Sequence, residues 1–365
     1  MLSRTIGTIY KIGTILAALV IIGCGGGGGG SGSGQPTTGA NGFSNSGDTV
    51  AKVAIEQYVN EFVLDILNRL SNQASAFRQA VETFAADPNS TNLQSARQLW
   101  ISTRIPWEES ETALFGPVDF RGFDPALDSW PVNRVDLQGV LDSGFALTDA
   151  SVSSLDPSLK GYHTIEFLLF GIGGSKTVED FTEREFAYLI AATHDLQGVA
   201  SLLQQSWTVG IDGAGPYARE FVSAGEGSAV YPSEQAALEE MVRGMITISD
   251  EVANGKIADP FDTRNTELVE SQFSYNSISD FTSNIRGVQF GYERGLSTFV
   301  NSVDPDLDTR VRNQLAKAIA ALGAIPHPFR NAILDSGNDS IIINAQIQIR
   351  ELQKVLEEEV LPLVL

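Results

Sequence analysis

The chain has three histidines, and one of them stands where an imidazole and a carboxylate could act together. In GYHTIEFLLFG, residues 161–171, His163 and Glu166 are three positions apart. The apolar residues around them (Tyr162, Ile165, Phe167, Leu168, Leu169, Phe170) are dense enough to be buried. On a helix, residues i and i+3 project from one face, so the two groups can point at the same spot. A nitrogen and an oxygen donor together suit Zn or Fe(II) in a mixed site. Spacing alone does not separate such a site from a hydrogen-bonded His–Glu pair. Three His and 45 acidic residues among 365 yield about 0.4 such pairs by chance. His194, in AATHDLQ, has no ligand spacing around it, and His327 stands between Pro326 and Pro328 in a turn; neither reads as a ligand.

The rest of the chain narrows the chemistry. It has no HExxH motif, no inverted HxxEH (position 167 is Phe) and no GxSxG elbow. One imidazole among acids makes a hard, oxygen-rich site, better suited to holding a divalent ion than to acidifying a zinc-bound water.

The elements that must position these groups read as helices nearly throughout. From Asp48, Val53, Tyr58, Phe62, Ile66, Leu70, Phe77, Val81 and Phe84 recur at helical spacing, with Asp48 as the expected N-cap, a break near Ser71 and a stop at Asp87-Pro88. A second helix is expected from Thr91, kinked or restarted at Pro106. The stretch PVDFRGFDPALDSWPVNRVDLQGV reads as irregular, yet Phe120, Phe123, Leu127 and Trp130 should pack against the 161–171 helix. Further helices are expected at about 180–209, 233–254, 265–300, 305–322 and 340–361, with SIIINAQIQI the one ambiguous piece. Long helices joined by short Pro/Gly breaks predict an all-α fold of two antiparallel bundles, 48–225 and 226–365. No simple repeat is present.

The N-terminus bears on location. Arg4 and Lys11 precede an apolar stretch of signal-peptide length (residues 12–23), too short to span a bilayer. Ile21-Ile22-Gly23-Cys24 resembles a bacterial lipobox, so residues 1–23 read as a lipoprotein signal peptide and Cys24, the only cysteine, as the lipidation site. Residues 24–47, rich in Gly and Ser, read as a tether. The expected place is the cell envelope, anchored in the outer membrane because Gly rather than Asp follows the cysteine. The formal net charge is −21, and −23 once Arg4 and Lys11 leave with the signal. Nucleic acid is excluded as a partner by the missing basic footprint, whereas cations are attracted.

A larger pattern surrounds His163. The stretch R-x-P-W-x-x-S-E-x-x-x-F-G (Arg104, Pro106, Trp107, Ser110, Glu111, Phe115, Gly116) is followed by D-x-W-P (Asp128, Trp130, Pro131) and G-x-H-x-x-E (Gly161, His163, Glu166). NIRGVQFGYERGL (284–296) and AIPHPFRNAI (324–333) come later. Together these resemble the imelysin family, peptidase family M75, over most of residues 48–365. The resemblance implies two helical bundles, an envelope location and a site near their junction built around His and Glu; some relatives serve iron acquisition and others are classed as metallopeptidases. On this likeness His163, Glu166, Glu111 and Asp128 are the candidate metal ligands. Asp124 is the substitute for Asp128, Asp119 a weaker competitor, and Arg104 a supporting partner that holds a carboxylate in place. Trp130 and Trp107 are expected to pack, and Glu108 and Glu109 to be solvated. The implied function is a lipid-anchored protein binding a divalent metal, iron or zinc, in iron acquisition with metal-uptake machinery as partner. The alternatives are a metallopeptidase acting on envelope or extracellular proteins, and a structural module with a vestigial site.

Overall fold

The computed structural model describes residues 49–365, and every regular element among them is helical. The signal peptide, Cys24 and the tether lie outside the described residues. Thr49, not Asp48, caps the first helix, its hydroxyl accepting from the Lys52 amide. Helix α1 (Val50–Gln57) passes through a π-helical turn, Tyr58–Val63, into α2 (Leu64–Ala86). The expected break near Ser71 is absent; the irregularity comes about two to four turns earlier, at Tyr58–Val63. Val53 is exposed, but the predicted stripe is real from Tyr58 onward, with Tyr58, Phe62, Leu70, Phe77, Val81 and Phe84 essentially inaccessible. Each such side chain contributes about 1.5–3 kcal/mol of burial.

Asn89 caps α3 (Ser90–Ser110), which runs unbroken through Pro106 before a 3-10 turn at Glu111–Ala113. The stretch expected to be irregular contains short helices: α4 (Pro117–Phe120), α5 (Phe123–Asp128) and α6 (Arg134–Asp142). After α7 (Asp149–Ser153) come α8 (Gly161–Phe170), α9 (Glu183–Thr208) and α10 (Tyr217–Val222). The remainder holds α11 (Glu234–Asp250), α12 (Ala258–Thr263), α13 (Ser277–Gly291), α14 (Ser297–Val303), α15 (Pro305–Gly323), α16 (Phe329–Ala332) and α17 (Asp339–Val355). The ambiguous SIIINAQIQI lies inside α17, its period-3.6 positions Ile342, Ala345, Gln346 and Ile349 buried.

Helices α3 and α9 both pack on α2, and α11, α13, α15 and α17 form a second packed group. The two groups meet where α13 lies along α3. That approach depends on Gly287, where a Cβ would stand 2.2 Å from the Glu109 carbonyl oxygen. A second close approach seats α8 on the end of α5: Gly161 has φ +73°, and a Cβ there would come 2.4 Å from the Leu127 carbonyl oxygen. The glycine of GxHxxE is thus a packing requirement that brings His163 up to Asp128.

Candidate metal centre

Side chains from six segments converge at the junction of the two groups. Because Pro106 does not break α3, Arg104 and Glu108 fall one turn apart on a single face, with Glu111 following. Asp128 ends α5, and His163 and Glu166 come from α8. A π-helical turn after α11, Glu251–Ile257, supplies Lys256, and α13 supplies Asp280 and Asn284. The sixth segment was expected to be helix from 265 onward. Instead only Thr266–Leu268 makes a 3-10 turn, Ser271 and Tyr275 take left-handed φ of 52° and 64°, and α13 starts at Ser277. The irregular backbone carries Glu270 into the junction.

Glu166 holds that backbone in place. Its Oε1 accepts from the amides of Phe273 (2.9 Å) and Ser274 (2.7 Å) and from the Ser274 hydroxyl (2.7 Å), donors that a helix would have paired internally. Its Oε2 lies 3.2 Å from His163 Nδ1. His163 and Glu166 therefore do meet, but at Nδ1, which leaves Nε2 turned the other way.

On that side, Nε2 stands 3.1 Å from Asp128 Oδ1 and 3.7 Å from Glu270 Oε1. Asp128, His163 and Glu270 can each offer one ligand atom, all within 4.8 Å of one another, and their exposures are 4%, 2% and 1%. His163 Nε2 and Glu270 Oε2 make no well-formed hydrogen bond among the described residues, although Nε2 faces Asp128 and Oε2 lies 3.3 Å from Lys256 Nζ. A bound cation would engage both atoms directly. The donors fit a divalent ion with three protein ligands, the imidazole oriented from behind by a carboxylate.

Around this trio the charges are fully enclosed. Arg104 donates to Asp128 Oδ1, to Glu108 and, at 2.6 Å, to Glu270 Oε1, with Asp280 3.6 Å from its Nε. Its guanidinium also lies over Tyr162, 5.0 Å from the ring centre. Trp107 Nε1 donates to Asp128 Oδ2 at 2.6 Å. Lys256 Nζ donates to Glu111 at 2.8 Å and Glu108 at 3.0 Å, and lies 3.3 Å from Glu270. Asn284 donates to both Glu108 and Glu111. Six buried carboxylates (Glu108, Glu111, Asp128, Glu166, Glu270, Asp280) thus face Arg104, Lys256 and His163.

The titration of these groups follows from this surplus. Burial pushes the carboxyls of Glu108, Glu111 and Asp280 up, and neighbouring acids add to it. Burial works the same way on Asp128, but Arg104 and then His163 outweigh it and hold that carboxyl far below the usual range. Against the same burial, Lys256, His163 and Arg104 bring Glu270 down to about 2. Burial disfavours the His163 cation, yet Asp128, Glu166 and Glu270 raise its pKa well above the ordinary value.

The expected site residues are distributed as follows. Asp128 and His163 meet, with Arg104 bound to Asp128. Glu111 is bound to Lys256, outside the three-residue group. Asp124 is half-buried in a cavity of about 180 Å³ that Asp119 also lines, its carboxyl pushed up to about 7 by burial and by Asp128. Trp130 lies against the centre, its ring 6.2 Å from His163 and 5.6 Å from Lys256 Nζ. Glu108 and Glu109, expected in solvent, are buried; the first serves Arg104 and Lys256, the second pairs with Arg69 at 2.8 Å. His194 bridges Glu82 and Asp149 away from the centre. Glu270 and Lys256 were not legible as site residues. The one local signal was the Ser/Asn-rich SQFSYNSIS after Glu270, a turn composition inside a supposed helix.

Comparison with known proteins supplies the family and the fold. The family model for imelysin, peptidase M75, matches residues 63–356. The chain belongs to the imelysin family. Iron-regulated protein A of Synechococcus elongatus is 31% identical over 337 residues, which cover 88% of this chain and 90% of that protein. The crystal structure of a protein described as an iron-regulated protein A precursor, from Parabacteroides distasonis, superposes with a TM-score of 0.79 at 26% identity, over 88% of this chain and 96% of that one. An imelysin-like protein from Psychrobacter arcticum shares the fold at a TM-score of 0.71 and 12% identity, over 86% of this chain and 95% of that one. The helical imelysin architecture is thus common to these chains.

Proposed function

We propose that this imelysin-family protein binds a divalent metal ion at Asp128, His163 and Glu270, and that it serves iron acquisition at the cell envelope. The observation that carries the reading is the buried trio of donor atoms inside a carboxylate surplus. Similarity to an iron-regulated protein supports iron as the physiological metal. Near-complete burial of all three donors favours holding an ion over cleaving a polypeptide, which needs an open coordination position within reach of a substrate. In this reading Glu166 orients His163 from behind and fixes the loop of Glu270, and Arg104 and Trp107 set the rotamer of Asp128. The lipidated Cys24 would tether the body to the membrane and place it beside uptake machinery.

Calorimetric titration of the folded body with Fe(II), under anaerobic conditions, and with Zn(II) tests the site. Saturable one-to-one binding is expected, abolished by His163→Ala combined with Glu270→Gln; unchanged affinity in the double variant sinks the assignment. Metal-dependent cleavage of a denatured protein, lost on chelation, would instead support the peptidase reading. Palmitate labelling that disappears in Cys24→Ser tests the anchor.

A further inference from the structure

We infer that Lys256 is an internal counter-cation that competes with the bound metal for Glu270 and thereby sets how loosely the centre holds its ion. The inference rests on the reading of Asp128, His163 and Glu270 as the ligands. Glu270 is the one member of the trio that both buried cations touch: Arg104 at 2.6 Å and Lys256 at 3.3 Å. The two cations are held differently. Arg104 is a planar fork on Asp128, Glu108 and Glu270, lying over Tyr162, and its geometry leaves it one pose. Lys256 is a point charge on a four-carbon stem, and its contact with Glu270 is the longest of its three. Glu111 at 2.8 Å and Glu108 at 3.0 Å give it oxygens to rest on when Glu270 turns to a metal. The ammonium can therefore give up Glu270 without leaving the cluster, and return to it when the ion departs.

Two consequences follow from the charges. Without metal, Lys256 offsets part of the carboxylate surplus and keeps the enclosed cluster stable. With metal, its positive charge a few ångströms away weakens binding, because like charges in an enclosed site repel strongly. A protein that must take up an ion and pass it on gains from such a built-in competitor.

The test compares Zn(II) and Fe(II) affinity of the full chain, in detergent, with that of Lys256→Gln, alongside thermal melting. Lys256→Gln is expected to bind about tenfold or more tightly, and to release metal to a chelator more slowly, while its metal-free form melts lower. Equal or weaker binding by a folded Lys256→Gln overturns the inference and leaves the ligand assignment standing, since the wild type still binds. Binding by Lys256→Gln but not by the wild type supports it in its strongest form. Absence of binding in both removes the ligand reading and this one with it. If Lys256→Gln does not fold, Lys256→Arg carries the test: its rigid fork cannot retreat from Glu270, so affinity should fall about threefold or more, and an unchanged or higher value overturns the inference.

Discussion

His163 uses its two ring nitrogens for different ends, Nδ1 against Glu166 and Nε2 toward Asp128 and Glu270, so the residue type alone did not say which acids share its site. A contrasting residue, Asp308, shows a carboxylate whose role is structural. It accepts from Tyr292 at 3.1 Å, from the Ser297 hydroxyl and from Arg312 Nε at 2.8 Å, and it is buried. Burial opposes its ionisation, but the hydrogen bonds from Ser297, Arg312 and Tyr292 win and lower its pKa below the ordinary value. A depressed folded pKa means stability that is full above the unfolded value near 3.9 and is lost as pH falls through the folded one. Asp308→Asn should therefore cost about 1–3 kcal/mol at pH 7 and progressively less below about pH 4. Urea denaturation at both pH values checks this, and a difference independent of pH would refute it.

Among the elements, the informative one is the segment 265–276, where helical patterning pointed to the wrong conformation. Nothing local to residues 265–276 announces that a carboxylate 107 positions before Phe273 will take the amides of Phe273 and Ser274. Tertiary hydrogen bonds overrode the pattern, and in doing so delivered Glu270. Glu166→Ala should free these amides: hydrogen exchange at Phe273 and Ser274 should speed up by about tenfold or more, while the core of α2 stays protected. Unaltered exchange there would show that the loop holds itself. Other helices were readable because their stripes are long, as in α2 and α15, and a period repeated over four turns or more outweighs local exceptions. Pro106 does not restart the helix: α3 runs on through it, packed on α2 and α13.

At the scale of the whole molecule, the site is a property of the contact between two helical groups, since Asp128 and His163 come from one and Lys256, Asp280 and Asn284 from the other. A ligand that binds only the folded state therefore stabilises the assembly of both. Metal at one hundred times its dissociation constant should raise the unfolding free energy by about 2.7 kcal/mol, seen as a higher melting temperature that chelation reverses. Asp128→Asn should abolish the increment; an equal increment in that variant would place the ion elsewhere.

Composition, helical period and the spaced motif block determined the helical class, the family, and the arrival of His163, Asp128 and Arg104 in one place, because each is written in residues close together in the chain or in a repeating stripe. Only the tertiary structure decided that Glu270 rather than Glu111 stands by His163 Nε2, that Glu166 braces a loop, and that Glu108 and Lys256 are enclosed. Those outcomes depend on contacts across more than a hundred residues, and on which of many acids lose access to water, quantities that no local window contains.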